Sequence, residues 1–110
     1  MRIHPPPLKE SQVLKQCLDF LAMRNIFFYR QNTGAFKNSQ GNFYRFGTHG
    51  APDLVVVVAG QYIGLEIKAK GRKQSEDQKA FERSLKKAGG EYLVIYDVAD
   101  LILRLNQFYD

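Results

Sequence analysis

Cysteine is nearly absent from this chain, with Cys17 the single example in 110 residues. A lone thiol closes no internal disulfide and builds no cysteine-rich zinc site, which points to a reducing intracellular setting. Cys17 falls on the apolar side of a predicted helix, where a thiol acts as a small buried hydrophobe and not as a nucleophile. Long apolar runs are missing too. Nothing approaches the roughly 20 residues that a bilayer crossing requires, and the opening MRIHPPP has no apolar core of signal-peptide kind. The expectation is a soluble, cytoplasmic protein with no membrane partner. Three of the four prolines sit together at Pro5, Pro6 and Pro7, so 1–7 reads as an extended lead-in. No repeat, linker or low-complexity block divides the chain, and its length suits one domain over 1–110. Acidic residues are in deficit, 11 against 16 Lys and Arg, and the net charge of +5 favours a polyanionic partner.

The elements follow from periodicity. Val13, Leu14, Cys17, Leu18, Leu21 and Ala22 recur at helical spacing and predict a helix over 8–24. Strands are expected over 26–31 and 42–46, with NTGAFKNSQG between them read as a polar loop. Ile26, Phe27, Phe28 and Tyr29 are apolar on both faces, which suits a central strand or an interface equally. A hairpin occupies 50–70. After Gly71, SEDQ reads as a capping box opening a helix whose stripe is Ala80, Phe81, Leu85 and Ala88, with Gly89-Gly90 as the stop. A strand over 91–96 and a helix capped by Asp97, reaching about 106, complete the order αβββαβα. In that last helix Leu101, Ile102 and Leu105 are placed to face the core, leaving Leu103, Phe108 and Tyr109 without an obvious burial site.

The hairpin, GAPDLVVVVAGQYIGLEIKAK, carries the chemistry. With Gly60-Gln61 as a two-residue II′ loop, Ala59 pairs with Tyr62, Asp53 falls opposite Lys68, and Glu66 falls opposite Val55. Leu54, Val56, Val58, Ile63, Leu65 and Ile67 then make one apolar face, and Asp53, Glu66 and Lys68 project from the other. A three-residue loop would shift the register by one and separate Asp53 from its companions. Two readings fit this cluster. One is an Asp53–Lys68 cross-strand ion pair, with Glu66 turned to solvent or to Lys70. The other is a hard-cation site, since carboxylate oxygens are what Mg²⁺ prefers and an adjacent Lys can position a water and offset charge growing on a phosphate.

Gly50-Ala51-Pro52-Asp53 followed by Glu66-Ile67-Lys68 resembles the PD-(D/E)xK nuclease signature. More narrowly the chain resembles the VRR-NUC family, through Glu10 in the first helix, the stretch from Tyr29 to Gly34, the Phe46-Gly47-x-x-Gly50 lead into Pro52-Asp53, and Gln78 with Phe81 after Gly71. The resemblance implies a restriction-endonuclease-like α/β (α+β mixed sheet) core, αβββαβ plus a C-terminal helix. It implies Mg²⁺ or Mn²⁺ held by Asp53 and Glu66 with the Ile67 carbonyl, and Lys68 beside the attacking water. Glu10, read as extending the buried stripe of Leu14, Cys17 and Leu21, would reach the metal directly or through water, unless it only complements the helix dipole. Gln78 would serve the site, the capping box, or both.

Lys70, Arg72 and Lys73 follow the site and precede a helix N-terminus, a good place for a DNA phosphate, and Arg30, Asn32, Lys37 and Arg45 would line the other side, against the plain reading of a solvated basic surface. His49 reads as loop and His4 as tail. The expected function is a metal-dependent DNA endonuclease acting as a homodimer on branched DNA such as a four-way junction. The rivals are a non-catalytic DNA-binding module of the same fold, a monomeric flap or single-strand nuclease, and a structural domain whose acidic residues serve only ion pairs.

Overall fold

The computed structural model describes residues 5–31, 34–46 and 48–109, with the backbone alone described at 34–36 and 44–46. Among the described residues three helices, α1 (Glu10–Met23), α2 (Glu76–Lys87) and α3 (Val98–Asn106), accompany six strands, β1 (Phe27–Arg30), β2 (Gly34–Lys37), β3 (Phe43–Phe46), β4 (Leu54–Val58), β5 (Gln61–Ile67) and β6 (Glu91–Ile95). The main sheet has the order β1-β4-β5-β6. Its β1/β4 and β4/β5 pairs are antiparallel, and β5/β6 is parallel, the crossover being made through α2. The protein is thus a mixed α/β fold on a four-stranded mixed sheet. No described helix is long and apolar enough to cross a membrane.

One side of the sheet is the core. Leu54, Val56, Val58, Ile63, Leu65 and Ile67 lie there as expected, joined by Leu93 and Ile95 and covered by Val13, Cys17 and Leu21 of α1 and Leu101 and Leu105 of α3. Phe108, expected to lack a burial site, packs against this cluster, whereas Leu103 is exposed. The helix ends are set by local chemistry. Ser75 Oγ accepts from Gln78 N while Gln78 Oε1 accepts from Ser75 N, a reciprocal cap that satisfies two otherwise orphaned donors. Gly89 N and Gly90 N donate to the carbonyls of Lys86 and Leu85, the paired bonds of a Schellman stop, with Gly89 at φ +95. Asp97 caps α3 through Asp100 N.

α2 covers the opposite side only over β5 and β6. Phe81 lies 6.1 Å from Tyr92 between ring centroids, and Leu85 reaches Gly64. The helix sits shallowly. None of its residues is fully buried, so the expected stripe reduces to half-buried Phe81 and Leu85, with Ala80 and Ala88 exposed. Gly64 is needed because a methyl there would come within 2.7 Å of Pro52 Cγ, which lies flat on the sheet.

Two expectations are corrected. The stretch NTGAFKNSQG contains β2, which pairs with β3 in a separate two-stranded sheet, so five strands precede α2 and the order αβββαβα is short of that. Its polar composition hid a hairpin whose turn is closed by Asn38, the side-chain oxygen of which accepts from Gln40 N and Asn42 N. The β4–β5 turn is Ala59-Gly60, with φ of 50 and 78, and not Gly60-Gln61. Two positive φ values make a type I′ turn, whose twist suits the flanking strands, with the glycine at its second position instead of the first. The register moves by two, so every side chain keeps its face while its partner across the ladder changes.

Alanine in the left-handed region costs about 1–2 kcal/mol, and Asn-Gly is the favoured pair for this turn. Ala59→Asn is therefore expected to stabilise the protein by about 0.5–1 kcal/mol, raising Tm by a few degrees in a thermal melt. A fall in Tm would contradict the turn.

Candidate active site

Continuing the β4–β5 ladder one residue beyond Leu54↔Leu65 sets Asp53 across from Glu66, and not from Lys68, the partner that a Gly60-Gln61 loop would give it. Asp53 is held from both sides. Its Oδ2 accepts from Ile67 N at 2.8 Å, and its backbone carbonyl accepts from Gln31 N at 3.0 Å. The side chain thus takes a position in the ladder that a backbone carbonyl would otherwise fill, and the carboxylate is fixed at the open end of the hairpin. Glu66 is 3% exposed, the one buried charged residue among those described. Burial pushes its pKa up to about 8, helped by the Asp53 carboxylate and a hydrogen bond with it, opposed by Lys68, and raised further by Glu10. A carboxyl pair that close shares a proton or needs a cation.

Among the described residues neither Asp53, Glu66 nor Lys68 makes an ion pair, so the Asp53–Lys68 bridge is not what holds the cluster. Sequence reasoning missed Tyr92. It stands beside Gly64 in the parallel register, is 1% exposed, and its hydroxyl donates to the Gly50 carbonyl at 3.4 Å. Burial first, then the charge of Glu66, makes that phenol much harder to ionise than usual. A tyrosine on β6 carries no signal of this role until the β5/β6 register is known. Gly50, at φ +80, lies so close to α2 that a methyl group would collide with the Asp77 carbonyl, and His49 Nδ1 is 3.3 Å from Asp77 Oδ2. The loop leading to Asp53 is therefore fastened to the first turn of α2.

Next to the pair lies a cleft of about 490 Å³ lined by Lys9, Glu10, Lys68, Ala69, Arg72 and Lys73. Glu10 is exposed at the start of α1 and does not extend the buried stripe, which is Val13, Cys17 and Leu21. Glu10, one turn before Val13, lines the cleft and acts on Glu66 through its charge. Lys70 is exposed beside the cleft and not part of its lining, and the Arg72 carbonyl accepts from Tyr96 Oη at 3.0 Å. Gln78 is engaged in the α2 cap. Arg30 is exposed at the end of β1 and Lys37 on the separate hairpin, while Asn32 and the side chain of Arg45 lie outside the described residues, as does His4.

Among the described residues no three His, Cys, Asp or Glu side chains converge as a complete metal cage. Asp53 and Glu66 bring two carboxylates together, and the Ile67 N–H is bonded to the first of them. Neither a family model nor a curated protein matches the chain.

Proposed function

We propose that this protein is a metal-dependent DNA endonuclease with a PD-(D/E)xK-type site. The observation that carries this reading is the buried Glu66 facing Asp53 without an ion pair, next to a cleft that holds Lys9, Lys68, Arg72 and Lys73. Two opposed carboxylates, one of them buried and short of a counter-charge, are hard-oxygen donors suited to Mg²⁺ or Mn²⁺. Asp53 and Glu66 would hold the ion, with Glu10 at the rim, and the ion would stabilise charge developing on a phosphate. The protein's own part is positional and electrostatic. Asp53 is locked by Ile67 N–H, so its oxygens keep one orientation. Lys68 supplies positive charge where the attacking water and the phosphate meet, and Arg72, Lys73 and Lys9 bind the phosphates on either side of the cut.

Paired cuts on two symmetry-related strands of a four-way junction require two sites on one substrate, so the proposed active form is a homodimer. Light scattering at micromolar concentration is then expected to give a mass near twice 12.6 kDa. The deciding experiment incubates the protein with linear, flapped and four-way DNAs in Mg²⁺, Mn²⁺ or EDTA. Metal-dependent strand cleavage supports the reading. Binding without cleavage of any DNA in either metal points to a non-catalytic module.

The cleft cations also set the salt dependence. Replacing both Arg72 and Lys73 by Ala is expected to flatten the slope of log K against log salt by about one to two units in all. An unchanged slope would place the DNA path elsewhere.

A further inference from the structure

The side of the sheet that bears the carboxylates is only half covered. α2 and Pro52 close it over Gly64 and Tyr92, but over β1 and the turn end of β4 large side chains stay exposed: Phe27 is 64% exposed, Tyr29 45% and Val57 36%. These are not scattered surface residues. Phe27 pairs with Val57, Val57 with Tyr62, and Tyr29 with Val55, so all project from the side that carries Asp53 and Glu66. The alternate residues Ile26 and Phe28 pack against the core on the other side. The Phe27 and Tyr29 rings meet edge to face, centroids 6.3 Å apart and planes at 71°. The Tyr62 hydroxyl accepts from Gln31 Nε2 at 3.3 Å, and Gln31 N is the donor to the Asp53 carbonyl. An exposed aromatic row thus begins about two residues from the carboxylate pair, roughly 7 Å along β4, and is tied to it through Gln31.

We propose that Phe27, Tyr29 and Tyr62 form a stacking platform for unpaired nucleobases of the strand to be cut, so that the protein selects DNA with unstacked nucleotides beside the scissile phosphate. The inference rests on the nuclease reading and names the substrate feature that the same site recognises. Every base has a π face, and aromatic side chains stack with it whatever the sequence, while a basic chain holds the phosphates. Lys68 and the other cleft cations lie beside the same carboxylates, and the net charge of +5 draws in a polyanion. Size argues the same way. A stable protein interface needs about 800 Å² per partner, far beyond these few side chains, whereas one or two bases match them.

The test compares binding of a dT oligonucleotide with that of an abasic oligonucleotide of equal length, in EDTA, by fluorescence anisotropy. The abasic strand keeps the phosphates and removes the bases. Native protein is expected to bind dT at least about tenfold more tightly, since stacking is worth ~1–3 kcal/mol per base. A Phe27→Ser, Tyr29→Ser double variant should lose that preference and bind the abasic strand as before. Should the double variant misfold, Phe27→Ser alone, at the most exposed of these rings, is expected to lose part of it. Equal binding of the two strands by native protein overturns the platform, as does equal weakening of both in the variant. A variant that keeps the dT preference but drops from dimer to monomer also overturns it, assigning the patch to contact between copies. Because no cleavage is measured, base preference without nuclease activity would refute the nuclease reading alone, and cleavage without base preference would refute the platform alone.

Discussion

Glu66→Gln and Asp53→Asn are each expected to lower metal-dependent DNA cleavage by about a thousandfold or more, the scale of several kcal/mol of lost charge stabilisation. Both substitutions are nearly isosteric. Asn at position 53 keeps an oxygen for Ile67 N–H, so the hairpin end should stay closed and any loss reflects chemistry and not folding. DNA binding in Ca²⁺ should change little, because the cations of the cleft are untouched. Lys68→Ala should also impair cleavage, with less effect on the Mg²⁺ concentration needed for half-maximal rate. The decisive readout is single-turnover cleavage of a labelled junction alongside anisotropy binding. Native-like cleavage by Glu66→Gln would remove the metal-site reading altogether.

The second large effect is on stability. Glu66 in the folded protein holds its proton up to about pH 8, whereas in the unfolded chain it releases it near 4.5. Between those values the native state binds more protons than the unfolded state, so stability falls as pH rises, with the loss complete above pH 8 and absent below 4.5. Glu66→Gln carries no charge to bury. Its melting temperature at pH 8 to 9 is expected to exceed that of the native protein by about 5 °C or more, with the two converging towards pH 5. Millimolar Mg²⁺ or Mn²⁺ should raise the native Tm at pH 8 by binding the folded state, and should leave the Gln variant unmoved. Identical pH profiles for the two proteins would show that burial does not raise the pKa of Glu66 above its value in the unfolded chain. A native Tm indifferent to both metals would argue for a structural role of the acidic pair.

Both results depend on Asp53 facing Glu66, and that is where sequence and structure part company. The sequence by itself determined which side chains share a face. Alternation along a strand has a period of two, so Asp53, Glu66 and Lys68 project from one side and Leu54, Val56, Ile63, Leu65 and Ile67 from the other under any even shift of register. It also determined the helix ends at Ser75, Gly89 and Asp97, where the capping groups act within a few residues of themselves. Which charge stands across from which was decided by the turn. Glycine accepts positive φ at either central position, and only the folded chain shows Ala59 taking the other one. The same holds for contacts between distant segments. Tyr92 comes beside Gly64 and bonds the Gly50 carbonyl through a parallel pairing that no local pattern encodes, and Glu10 lines the cleft together with Lys68, Arg72 and Lys73, residues more than 50 positions away. β2 forms because Phe43–Phe46 pairs with it, although its own residues read as a loop. Local chemistry is written in neighbours a few residues apart, while register and crossover depend on the free energy of the packed whole, to which every element contributes.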